Sequence, residues 1–251
     1  MQKIYSYYSY IPSTIKTKLF ENRLYFNSFF YPRKLHNYIV QAKTPLPDRL
    51  ENYNYLNRTP LNEIFNPNFL DSIDTKMPLD ILRKRYNAAS NSFTSELNRM
   101  LFLDWKFTLA DNDLRKVNKM CDIAGIEVQY PLLCDDVLSV STTVPPSLKL
   151  NGNKLRYFFK YAMRDLLPKE IVKKHKHGFG LPFGPWLNKS THLKDRIYDN
   201  LERFSHRNIT NEKFMATIIA QHNEHASYYG SFIWVIVALE EWLSHNDINV
   251  S

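Results

Sequence analysis

Residues 173–187 read KKHKHGFGLPFGPWL, and three of the chain's six glycines fall there. Lys173, Lys174 and Lys176, with His175 and His177, stand directly before the glycine corners. Cations beside a stiff, glycine-cornered loop can hold an anion; the plainer alternative is a surface turn after a helix. Arg156, Lys160 and Arg164 recur at i, i+4 and i+8, a cationic ridge if that segment is helical. Such a ridge serves either anion binding or solvation. His222 and His225 lie at i, i+3 beside Glu224, but two histidines fall short of a metal-ligand set, and no metal site is expected. Asp135 and Asp136 are adjacent carboxylates; in a strand they would face opposite ways, which argues against a shared acid–base role. The chain carries no GxSxG, HExxH, GxxxxGK[ST] or GxGxxG.

The elements that must position these residues read as helices. The segment 153–167 places Leu155, Phe158, Phe159, Ala162, Met163, Leu166 and Leu167 at helical period, and Pro168 ends it. A second stripe, Phe232, Val235, Ile236, Leu239, Trp242 and Leu243, belongs to a pattern over 211–243, with Glu240 and Glu241 off the stripe. A helical pattern also covers about 82–107. Residues 1–40 read as one or two helices split near Pro12 and Pro32. Residues 43–80, broken by Pro45, Pro47, Pro60, Pro67 and Pro78, read as short helices joined by turns. The best extended segment is EVQYPLL, 127–133.

The composition is globular: 44% hydrophobic and 14% aromatic over 251 residues. A net charge of +8 favours anionic partners, but 25 acidic residues interspersed among 33 Lys and Arg argue against a dedicated nucleic-acid arm. Cys121 and Cys134 form no CxxC pair, as expected for a reducing compartment. No stretch approaches the ~20 apolar residues of a membrane span. The N-terminus has tyrosines where a signal peptide needs an apolar run. A cytoplasmic location is expected.

Three stretches carry a family likeness: LRKVNKMCDIAGIEVQYPLL, VPPSLKLNGNKLRYFFKYAMRDLLPKEIV and KKHKHGFGLPFGPWL. In order and spacing they resemble the synthetase domain of the glutamine-hydrolysing asparagine synthetases. That family has a K-V-D-R helix, an L-E-V-R-x-P-F-L-D segment, a K-x-x-L-R-x-A helix ending in L-L-P, and a K-x-G-F-x-x-P loop before W-L. The tail HNEHASYYGSFIWVIVALEEWL resembles the family's closing helices. Residues 1–110 resemble its weakly patterned helical region, and 111–251 bear the motifs.

The resemblance implies a mainly α fold. It would be the C-terminal helical half of an α/β ATP-pyrophosphatase synthetase domain, of the adenine nucleotide alpha hydrolase-like kind, with the nucleotide-binding sheet largely missing. It implies ATP and Mg2+, an acyl-adenylate of aspartate, and attack by glutamine-derived ammonia. Lys176 matches the lysine that approaches the phosphates, and Gly178, Phe179 and Gly180 follow it in the loop. Glu127 matches the glutamate of L-E-V-R; Lys116 and Arg156 match basic positions near substrate.

The sequence departs from the family at several places. S-G-G-x-D-S and G-G-D-E are absent from these residues, as is an N-terminal cysteine nucleophile. The implied partner is therefore a glutaminase and ATP-pyrophosphatase portion, separately encoded or missing. Asn118 stands at the usual aspartate, Lys119 and Gln129 at arginines, and Cys134 at an aspartate. Two alternatives to a ligase half remain at this point: a non-catalytic truncated remnant or helical interaction module, and a basic nucleic-acid-binding protein.

Overall fold

The computed structural model describes residues 8, 10–17, 33–52, 54–57, 59–93, 95–152, 154–175, 185, 186, 189–224 and 226–248. In chain order its main elements are α1 (Arg33–Lys43), α2 (Pro67–Ser72), α3 (Met77–Ala88), α4 (Glu96–Leu103), a π-helix (Asp104–Asp113), α5 (Leu114–Ala124) and α6 (Asp135–Thr143). Strands β1 (Leu150–Asn151) and β2 (Lys154–Leu155) follow, then α7 (Tyr157–Ala162), α8 (Thr191–Ser205), α9 (Glu212–Glu224) and α10 (Ala226–His245). The expectation of a mainly helical chain is met. Among the described residues the sheet is one antiparallel hairpin, with Leu150 opposite Leu155 and Asn151 opposite Lys154.

The chain divides into two compact units. The first comprises 1–52 and 78–175. Its buried cluster is Leu82, Tyr86 and Leu103, with Leu46, Leu50 and Phe107 packed against it. Arg83 clamps Asp48 through Nε at 3.0 Å and Nη2 at 2.6 Å, joining α3 to the short helix Asp48–Glu51. Beyond this cluster much apolar surface stays open: Met120, Ile123, Ile126, Leu132, Leu155 and Leu166 are all exposed, Leu166 at 78%.

The second unit comprises 53–77 and 176–251. Ser190 caps α8, its side chain accepting from Leu193 N–H, and α8 turns Ile197, Leu201 and Phe204 inward at i, i+4 and i+7. Phe214, Met215 and Ile218 of α9 and Ile233, Ile236, Val237 and Leu243 of α10 complete that core around Ile64. A bridge between Phe65 and Thr210 ties the early segment in, with Asn66 N–H donating to Ile209 O at 3.0 Å.

Several expectations need correction. The helix expected over 153–167 is a hairpin followed by a shorter helix. Gly152 turns the chain at φ +58°, and Arg156 adopts a left-handed conformation at φ +56° before α7 begins. Its supposed apolar stripe is not buried: Leu155, Phe159, Leu166 and Leu167 are exposed. The cationic ridge is likewise broken, since Lys160 donates to Lys174 O at 3.2 Å while Arg164 stacks over Tyr161 at 4.0 Å. The segment 127–133 has no ladder partner among the described residues, and Pro131–Leu133 is a 3-10 turn. The stripe on α10 is met in part: Ile236 and Leu243 are buried and Phe232 packs against the core, but Val235, Leu239 and Trp242 are exposed, and Ile233, Val237 and Glu240 are buried instead.

Candidate functional site

Of the site residues expected from sequence, Lys176, Gly178, Phe179 and Gly180 lie outside the described residues, as do His177 and His225. Lys116, Glu127 and Arg156 are described, all three exposed.

Lys116 sits on the solvent side of α5, with Nζ 2.9 Å from Asp113 Oδ1 at i, i+3 spacing. Exposed helical pairs of this kind contribute only a few tenths of a kcal/mol. Helix α5 stops at Gly125, which takes φ +67°, and Ile126 N–H reaches back to Cys121 O at 2.9 Å. This is the glycine-terminated helix end in which a left-handed residue turns the chain away. Glu127 follows that turn. Three residues on, the Tyr130 hydroxyl donates to Asn118 Oδ1 at 2.7 Å, so the segment folds back on the middle of α5. Desolvation and, secondarily, the nearby Cys121 push the Tyr130 phenol above its ordinary pKa. Lys116 and Glu127 are thus carried by one helix and the segment returning to it.

Asp135 and Asp136 occupy the first turn of α6. The two carboxylates there complement the exposed N–H groups of a helix start, a structural role that needs no shared chemistry.

Arg156 belongs to a different feature. Within the first unit a cavity of about 460 Å³ opens between α4, the π-helix, α6 and α7. Phe93, Phe102, Trp105, Phe158 and Phe159 line it with aromatic rings. Its charged lining residues are Asp104, Lys149 and Arg156. Lys149 is half-buried, donates to Asn98 Oδ1 at 2.9 Å, and has its ammonium pKa lowered by desolvation. The hydroxyls of Ser141 and Thr142 already donate to Leu138 O and Ser139 O. The cavity is suited to an apolar body with an acidic end. Sequence reading placed Lys149 inside a quoted motif without singling it out, because its burial comes from residues some 50 positions upstream, such as Asn98.

Among the described residues no group of three or more His, Cys, Asp or Glu could hold a metal ion. Among the described residues, too, no helix is long and apolar enough to cross a membrane.

Comparison with known proteins gives consistent results. The family model described as asparagine synthase matches residues 15–244. The chain is 21% identical over 204 residues to asparagine synthetase (glutamine-hydrolyzing) 1 of Bacillus subtilis strain 168, covering 81% of this chain and 31% of that protein. It is 20% identical over 144 residues to a provisionally named asparagine synthetase (glutamine-hydrolyzing) of Mycobacterium bovis, covering 57% of this chain and 22% of the relative. A Mycobacterium tuberculosis H37Rv protein of the same name matches equally. The chain thus spans a third or less of the length of these relatives. No solved structure gives a significant match.

Proposed function

The chain belongs to the asparagine synthase family, and from that premise we propose that it acts as the helical, C-terminal part of an ATP-dependent amide-forming ligase. The observation that carries this reading is the family match over 15–244 in a chain that spans only 31% of its Bacillus relative. In the proposed reaction a carboxylate oxygen, that of aspartate, attacks the α-phosphorus of ATP and expels pyrophosphate. Ammonia released from glutamine then attacks the acyl carbon, and AMP leaves. The nucleotide loop, the Mg2+ ligands and the glutaminase belong in this reading to the remaining two-thirds of a synthetase, on the same polypeptide or another. The number of open apolar residues in the first unit, among them Ile123, Ile126 and Leu166, supports a covering partner.

In this reading Lys176 faces the pyrophosphate as it leaves, where a cation stabilises developing charge. Gly178, Phe179 and Gly180 shape its loop, and Glu127, Lys116 and Arg156 lie toward substrate. The fold of the assembled whole would be of the ATP-pyrophosphatase type. A second reading, a helical interaction module without catalysis, is favoured by Asn118 and Cys134 standing where the family has aspartates.

ATP–pyrophosphate exchange with aspartate and Mg2+ separates the two readings. The chain is assayed alone and then together with the upstream portion of a synthetase. Exchange in the combined protein, lost on Lys176→Ala, is the expected result. An assembled, folded complex with no exchange overturns the ligase reading in favour of the interaction module.

A further inference from the structure

The cavity of the first unit shares only Arg156 with the ligase reading, and its construction is specific. Its aromatic walls come from α4, the π-helix and α7. Asp104 and Trp105 open that π-helix, a form that is rare in proteins and recurs at functional positions. The charged groups are two cations against one carboxylate, Lys149 and Arg156 against Asp104. Lys149 spends one donor on Asn98, which leaves two N–H protons without a partner among the described residues. The Arg156 side chain makes no hydrogen bond or ion pair among the described residues, and its backbone takes a conformation, φ +56°, that costs an L residue about 1–2 kcal/mol. A guanidinium without a side-chain partner and a partly buried ammonium in the same lining make an acidic end group the complementary occupant. Cavities of a few hundred cubic ångströms with apolar walls and a few convergent polar groups are the usual form of small-molecule sites.

We infer that this cavity binds an aromatic carboxylate, its ring between Trp105 and the phenylalanines and its carboxylate on Arg156 and Lys149. Guanidinium and carboxylate match in planar, two-pronged geometry, which favours a carboxylate over a spherical anion. The site shares Arg156 with the ligase reading, but its binding needs neither ATP nor a partner and survives that reading's failure.

The test uses 2-naphthoate as probe, titrated by calorimetry into the whole chain at low salt, with 2-naphthalenemethanol as its uncharged counterpart. Arg156→Gly removes the guanidinium at a position where glycine accepts the positive φ without strain, so the fold is kept. Lys149→Gln removes the second cation while keeping a donor toward Asn98. The expected result is saturable 2-naphthoate binding that weakens at least tenfold in either variant, while the alcohol binds weakly and equally to all three proteins. Absence of 2-naphthoate binding to the wild-type chain overturns the inference. So does binding unchanged in both variants, or equal binding of acid and alcohol.

Discussion

Arg207 grips Glu240 with two nitrogens, Nε 2.6 Å from Oε2 and Nη2 3.1 Å from Oε1, at a carboxylate only 1% exposed. The pair joins the turn after α8 to the C-terminal half of α10. Arg207 Nη1 also donates to Ile248 O at 2.7 Å, and Ser244 Oγ donates to Glu240 Oε1 at 2.7 Å. The charges are thus taken out of water together and each nitrogen of the guanidinium and each oxygen of the carboxylate has a partner, the condition under which a buried pair is tolerable.

Removing one partner should therefore be costly. Arg207→Met leaves an unpaired buried carboxylate, and a loss of about 3–5 kcal/mol is expected in urea unfolding. The double variant Arg207→Met/Glu240→Leu should recover most of that loss, because an apolar pair needs no desolvation. A double variant as unstable as the single one would place the cost in packing rather than in charge.

The same pair sets a pH dependence. Desolvation alone would raise the Glu240 carboxyl, but hydrogen bonds from Arg207 and Ser244 hold it below its ordinary value. Glu241 is lowered as well, through hydrogen bonds from Asn200 and Arg196. For a carboxyl whose pKa falls on folding, the unfolded chain binds the proton more tightly. The stabilisation is then complete above the unfolded value, about 4.3, and is lost as pH falls through the folded value. Urea midpoints measured from pH 7 to pH 3 should fall more steeply for wild type than for Glu240→Gln. Parallel curves would count against the linkage.

This pair also marks how far the sequence was legible. Proline spacing correctly announced short helices over 43–80, and helical periodicity placed α10. The face of α10 is only half legible: Ile236 and Leu243 do face the core, but Val235 and Leu239 are as apolar as Ile233 and Val237, so period alone cannot orient the helix. The stripe leaves Glu240 to one side, and its partner Arg207 lies 33 positions away, beyond any local pattern. The helix expected over 153–167 failed for a different reason. Its apolar repeat is real, but Gly152 and the left-handed Arg156 turn the backbone first, and the repeat remains largely exposed. Lys116, Glu127 and Arg156 were found through family likeness, whereas Lys149 required the tertiary fold.

The bond between Tyr130 and Asn118 should hold the Glu127 segment on α5. Tyr130→Phe deletes the donor and little else, with an expected loss of about 0.5–1.5 kcal/mol. Amide exchange should rise over 126–130 and stay unchanged in α8. Equal exchange in the variant would mean that the segment is held by its backbone alone.

Gly125 ends α5 at φ +67°, and a Cβ built there meets nothing within 4 Å. Gly125→Ala therefore isolates the conformational cost of a left-handed residue from any clash. A loss of about 1–2 kcal/mol is expected in urea unfolding. Gly125→Asn should lose less, because asparagine tolerates this region.

Cys134 stands at the N-cap of α6 with φ −68° and ψ 157°, and its side chain makes no capping bond. The backbone is already in the extended conformation a cap requires, and Leu138 N–H reaches Cys134 O at 3.0 Å. A serine hydroxyl at this position would accept from a free N–H of the first turn, a gain of about 0.5–2 kcal/mol over a non-capping side chain. Aspartate, the family residue, would cap as well, but Asp135 and Asp136 follow it directly, and like charges reduce the benefit. The expected order of unfolding midpoints is Cys134→Ser highest, then Cys134→Asp, with Cys134→Ala near wild type. If aspartate proves best, the field of the helix start outweighs the repulsion of its neighbours, and the loss of the family carboxylate has cost this chain helix stability at that turn.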